Sequence, residues 1–242
     1  GLANNHILDF DVGAMKECLD HLDGAAIARA GAGMTLEEAA APALLSVGEV
    51  RCAVIAVTDN EPGWAAADDR PGVNFIAFGE AGLHQPYLSR IEAALFAARR
   101  EAACVIVCAH VGPNWGPPSA AMRTTARQFI DLGADVYWGH SNHTTQGIEV
   151  YRGRPILYSC GDFVNDYAID PDDRNDLSFF FEIGILEAAV REIRLHPVRI
   201  DRFQVNRATG SDAAWVCRWM EERCTAMGTQ AERMADGLLI NL

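Results

Sequence analysis

The order of elements between residues 87 and 140 constrains this chain more than any other feature. Residues 87–102 (YLSRIEAALFAARREA) place apolar side chains at helical spacing, and 103–109 form an unbroken apolar run. A second helix is expected over 119–132 and a second strand over 135–138. An amphipathic helix must bury its stripe, and a strand without alternation must be covered on both faces. Helix, strand, loop, helix, strand therefore predicts an α/β domain built on a mixed or parallel sheet.

The flanking segments extend this reading. Met15, Cys18, Leu19 and Leu22 fall at helical spacing within 12–29, and 25–33 read as a short strand with a glycine turn. Thr35 followed by Glu37 and Glu38 opens a brief helix that Pro42 stops. Strands are expected near 43–47 and 51–58, turning at Gly48-Glu49, and then a long Asp/Gly/Pro/Ala-rich loop over 59–86 that suits a lid or rim. Beyond 145, strands near 146–151, 155–158, 178–186 and 190–200 are joined by short turns, so that half should be antiparallel. Residues 211–228 read as a terminal helix. The expectation is one domain over 1–242, with 201–242 a C-terminal helical extension.

Composition excludes several classes. Half of the 242 residues are hydrophobic, enough for a sizeable core, and the net charge is −13. That charge argues against nonspecific binding to nucleic acid or anionic membrane, which rests on Lys and Arg meeting phosphate. No apolar run approaches the roughly 20 residues of a membrane-spanning helix. The opening GLANNH has neither an initiator Met nor a signal-peptide pattern, and we expect a strand-bearing segment to precede it. The seven cysteines include no CxxC pair. Cys104 and Cys108 would lie about 13 Å apart on one strand, and Cys217 and Cys224 about 10 Å apart along a helix. Buried reduced thiols, and with them a cytoplasmic location, are the expectation.

The chemistry points to histidine. His6, His110, His140 and His143 lie in loops that follow apolar segments, and strand carboxyl ends are where α/β sheets bind ligands. Imidazoles with the Asn5 amide oxygen suit a first-row divalent metal. His21, His84 and His196 read as structural or solvated, with His84 able to reach a ligand only if its loop folds over. No GxSxG elbow, P-loop or GxGxxG occurs. Asp162, Asp166, Asp170, Asp172 and Asp173 make an acidic loop around Tyr167. Asp162 or Glu149 could accept a hydrogen bond from a metal-bound histidine. Arg51, Arg70, Arg123 and Arg174 are the loop cations available to offset the negative charge near an anionic substrate.

Several motifs carry a resemblance. Asn4-Asn5-His6, His110-Val111-Gly112-Pro113, Gly139-His140-Ser141-Asn142-His143, Gln146-Gly147-Ile148-Glu149-Val150-Tyr151 and Arg152-Gly153-Arg154-Pro155-Ile156-Leu157-Tyr158-Ser159 occur in family order. They resemble the CapA-type capsule-synthesis family, the poly-γ-glutamate biosynthesis group, similar in fold to calcineurin-like metallophosphoesterases. The resemblance implies a two-sheet sandwich flanked by helices, here without its first strands and the aspartate they supply. It implies two divalent ions (Mn, Fe or Zn) held by Asn5, His110, His140 and His143, with His6 as general acid. His140 and His143 stand one residue further apart than in the family's Gly-His-x-His pair, and Gly161-Asp162-Phe163 replaces the usual Gly-Asn-Phe. The activity implied is hydrolysis of a phosphoester or amide bond in an anionic or polymeric substrate. The alternative is a non-catalytic accessory subunit of a capsule-assembly or export machine.

Overall fold

The computed structural model describes residues 1–165 and 167–242. Asp166 of the acidic loop lies outside the described residues. The chain divides into two compact units, 1–112 with 119–137 and 113–118 with 138–242. The architecture is mixed α/β, with five α-helices and several sheets among the described residues.

The first unit opens with α1 (Asp11–Gly24), β1 (Ala32–Gly33), α2 (Leu36–Ala40), β2 (Ala43–Val47) and β3 (Val50–Thr58). Helix α1 buries Met15 and Leu19 against Ala32, with Leu2, Ile7, Leu8 and Met34 packed around them. Thr35 caps α2, its hydroxyl accepting from the Glu38 N–H at 3.2 Å. The long loop after β3 carries a 3-10 turn at Pro62–Trp64 and the short strands β4 (Gly72–Val73), β5 (Phe78–Gly79) and β6 (Gly82–Leu83). The pairs β1–β4 and β5–β6 are antiparallel. Then come α3 (Tyr87–Glu101), β7 (Cys104–His110) and α4 (Ala120–Asp131), whose N-cap Ser119 accepts from the Met122 N–H at 3.2 Å.

Strand β3 joins β2 antiparallel and β7 parallel, so this sheet is mixed. Parallel pairing demands a crossover, and α3 supplies it. It buries Ile91, Leu95 and Ala98. The parallel register sets Thr58 opposite His110, so both strands finish at one level.

Strand β8 (Val136–His140) carries the chain into the second unit, followed by β9 (Ile148–Tyr151) and β10 (Arg154–Leu157). These last two form an antiparallel hairpin at Arg152-Gly153. Strands β11 (Leu177–Leu186), β12 (Ala189–Asp201) and β13 (Gln204–Arg207) precede α5 (Gly210–Ala226), which leads to β14 (Glu232–Met234) and β15 (Gly237–Asn241). Strand β12 pairs antiparallel with β11, β13 and β15, and β15 with β14. The expected helical extension over 201–242 is thus corrected. One helix lies there among three strands, because thirteen-residue β12, paired with β11 on one edge, offers a second edge that β13 and β15 of the tail complete.

No helix among the described residues is long and apolar enough to cross a membrane. All seven cysteines are free, and Cys52, Cys104, Cys160, Cys217 and Cys224 are buried. Burial pushes the Cys104 thiol up to about 12 and that of Cys224 up to about 11. The thiolate is the nucleophile, so at pH 8 native Cys104 should react with iodoacetamide roughly 10³-fold more slowly than an ordinary exposed thiol of pKa about 8.5. Mass spectrometry of protein labelled before and after denaturation checks this. Rapid native labelling of Cys104 would contradict the buried strand.

Candidate site at the histidine strand ends

In the first unit, Asn5 is half-buried and His6 exposed, just after the backbone enters beside β3. The Asn4 side-chain oxygen accepts from the N–H groups of His6 and Ile7, both at 2.9 Å, which fixes the turn that presents Asn5 and His6. His6 Nδ1 lies 2.8 Å from Asp9 Oδ2. His110 ends β7, half-buried, and its carbonyl accepts from Asn60 Nδ2 at 3.3 Å. Asp59, which the sequence did not mark, stands at this same strand end. Its Oδ1 accepts from the Gly112 N–H at 3.0 Å, and burial holds its carboxyl above the usual range. The signal for it was available: a carboxylate directly following a buried strand that runs beside the one ending in His110.

In the second unit His140 ends β8, and the loop after it is densely bonded. Buried Ser141 has φ +109°, a left-handed value that is costly for a residue with a Cβ. Such strain persists only where neighbours over-determine it. Asn142 does so. Its Nδ2 donates to the carbonyls of Gly116 and Pro113 at 2.8 and 3.4 Å. Its Oδ1 accepts from the Thr144 N–H, the Thr144 hydroxyl and Gln146 Nε2. The Asn142 carbonyl accepts from the Ser159 hydroxyl at 2.9 Å.

This framework brings His143 and Asp162 together, nineteen residues apart in sequence. His143 Nδ1 lies 2.9 Å from Oδ1 and 3.1 Å from Oδ2 of Asp162. The side chains are only 17% and 14% exposed. A carboxylate accepts, so Nδ1 is the donor in this bond and Nε2 is the ring nitrogen left for another partner. Burial raises the Asp162 carboxyl, and the hydrogen bond from His143 opposes that rise. Trp115 and Tyr167 flank the imidazole, with centroids 5.3 and 5.0 Å away, and the His143 N–H donates to the Asn114 carbonyl at 2.9 Å. The sequence placed Tyr167 only within the acidic loop and gave neither ring a part beside His143. For Trp115 the local signal was an aromatic between glycines and prolines in GPNWGPP.

Other expected residues lie elsewhere. Glu149 is buried and accepts from the Tyr158 hydroxyl at 2.6 Å. Arg174 is committed to Asp176 and Asp212, and Arg70 to the Ala65 carbonyl, so neither stands ready as a substrate cation. His196 lies 3.1 Å from Glu182. Among the described residues, no three His, Cys, Asp or Glu side chains are gathered closely enough to hold a metal ion.

Residues 1–167 match the family described as "Bacterial capsule synthesis protein PGA_cap". Similar proteins include a probable polyglutamine synthesis accessory protein of Mycobacterium tuberculosis, 34% identical over 98% of this chain and 65% of its own length. The PGA biosynthesis protein CapA of Bacillus subtilis is 34% identical over 68% of this chain and 41% of its length. The capsule biosynthesis protein CapA of Bacillus anthracis is 30% identical over 68% and 39%. The chain therefore spans just under two thirds of the mycobacterial relative and less than half of either CapA protein. The matched stretch contains Asn5, His6, His110, His140, His143 and Asp162, every histidine strand end described above and the carboxylate that meets one of them, and by that match this chain belongs to the bacterial capsule synthesis PGA_cap family.

Proposed function

We propose that this chain serves the synthesis of a capsule or poly-γ-glutamate polymer as a metal-dependent hydrolase of phosphoester or amide bonds. The observation that carries the reading is the His143–Asp162 pair. A half-buried imidazole whose Nδ1 is held by a carboxylate, with aromatic rings on either side, is prepared to use Nε2 on something outside the protein.

The donor chemistry suits a divalent ion: three imidazoles and an amide oxygen, one imidazole already backed by a carboxylate. Asn5 and His110 of the first unit, and His140 and His143 of the second, are the residues this reading assigns to Mn, Fe or Zn. When bound, such ions supply a hydroxide at neutral pH and a positive field at the reacting centre. The chain's own groups do the rest. Asp162 fixes the His143 tautomer, Trp115 and Tyr167 limit the ring's rotation, and Asn142 holds the loop in its strained form. His6, exposed and paired with Asp9, would deliver a proton to the leaving group.

Metal analysis of the protein after dialysis tests the reading. Stoichiometric Mn, Fe or Zn that is lost on His140→Ala is the expected result. Metal-free protein from every preparation, including those reconstituted with each ion, would overturn it. His6→Asn should spare the metal and slow release of a poor leaving group by roughly 10²-fold or more, while aryl phosphates suffer less. Loss of metal in that variant would make His6 a ligand.

A second reading follows from the word "accessory" in the mycobacterial relative's name. In it the chain is a non-catalytic subunit of a polymer-synthesis or export assembly. A His6→Ala/His110→Ala double variant separates the two. Partner capture with restored polymer production favours the subunit, whereas capture without production favours the enzyme.

A further inference from the structure

We propose that Trp219, on a helix beyond the family match at residues 1–167, is the positioning residue for the loop that bears His143. The proposal rests on the role given to His143 and Asp162 above.

Three groups from α5 and the turn after it reach the backbone of 145–150. Trp219 Nε1 donates to the Thr145 carbonyl at 2.9 Å. The Ile148 N–H donates to Cys224 Sγ at 3.4 Å, and the Val150 N–H to the Thr229 hydroxyl at 3.1 Å. Residues 148 and 150 alternate along β9, so these N–H groups lie along one side of the strand. Side chains of α5 and of the turn after it satisfy them, where another strand would otherwise do so. Gly147 lies so close to the helix that a Cβ there would sit 2.5 Å from the Arg223 carbonyl oxygen, which only glycine permits. The chain between His143 and β9 is therefore laid directly on α5.

Trp219 is itself held firmly. The Arg223 guanidinium lies 3.1 Å from its ring centroid, and Trp215 stacks on it at 4.9 Å with the planes 21° apart. Its acceptor is well placed to matter. Thr145 is two residues past His143 and bridges Cys160, which is two residues before Asp162. The indole N–H thus pins the point from which both members of the pair diverge. An error there moves the imidazole and the carboxylate relative to each other. The contacts from α5 described above all fall on the backbone of 145–150, so the role is positioning and not catalysis.

Amide hydrogen exchange and kinetics on Trp219→Phe test this, since phenylalanine keeps a ring but loses the donor. Exchange at residues 143–146 should rise about 10-fold while strands β11 and β12 keep their protection. On an aryl phosphodiester, kcat should fall about 10-fold with KM unchanged, as expected when reacting groups are misplaced but binding is intact. Trp219→His, which restores a ring N–H, should recover part of both. Unchanged exchange at 143–146 in a folded Trp219→Phe protein would overturn the proposal. Should that variant fail to fold, Arg223→Ala, which removes only the cation over the ring, replaces it. A rise of about threefold at 143–146 supports the role, and no rise overturns it. Exchange needs no turnover, so a wild-type protein without hydrolase activity would count against the enzyme reading alone.

Discussion

Replacing His143 by alanine is expected to lower turnover and metal affinity together by more than the roughly 10–100-fold typical of losing a group behind a metal-bound histidine, because the proposed ligand itself is removed. The side chain is only 17% exposed, yet its bonded Nδ1 leaves Nε2 as the single functional atom. Asp162→Ala should follow at about 10–100-fold, the usual effect of removing a carboxylate behind a working histidine. Asp162→Asn is the more informative change. It keeps an acceptor for Nδ1 and loses the charge, so it should fall between wild type and alanine. Hydrolysis of an aryl phosphodiester and of a γ-glutamyl anilide, measured alongside metal content, checks the series. A His143→Ala protein with full turnover and full metal content would remove both roles assigned to the pair.

The largest stability effect is expected at Arg174. The sequence offered it as a cation for substrate, but the structure uses it internally. Its Nε and Nη2 contact both oxygens of Asp176 at 2.7 and 3.0 Å, and Nη2 also reaches Asp212 at 3.1 Å. The Asp176 side chain is only 3% exposed, and the hydrogen bond to it is the main reason the guanidinium is held above its usual range. Arg174→Ala leaves that carboxylate facing Arg199 alone, at 3.5 Å. Stranding a buried charge costs about 3 kcal/mol, at the low end of the range because Arg199 remains. In a chain of this size that corresponds to a fall of roughly 6–12 °C in Tm. Arg199→Ala, at a side chain 45% exposed, should cost under about 1 kcal/mol. Thermal unfolding of the two variants side by side checks the order. Equal losses would mean that burial of Asp176 does not control the network.

Local pattern made much of the molecule legible. The apolar stripe of 87–102, the unalternating CVIVCAH, the Thr35 cap and the turn at Gly48-Glu49 each depend on neighbours within a few residues. Periodicity and capping report those interactions directly. The tail resisted the same reading. The three-residue strand β14 and five-residue β15 have too little length for a pattern; β15 exists because β12 provides an edge to pair with, and β14 pairs in turn with β15.

The candidate site divides along the same line. The sequence by itself determined which side chains could do chemistry, because a histidine or asparagine just after an apolar strand must emerge where the strand opens into its loop. It also pointed to Asp162 as a carboxylate for a histidine. Only the tertiary structure decided that the partner is His143, that Trp115 and Tyr167 flank the ring, and that Trp219 holds the loop from 74 residues beyond Thr145. Those contacts join segments far apart in the chain. Their register is set by how strands pair and where helices pack, which no local periodicity encodes.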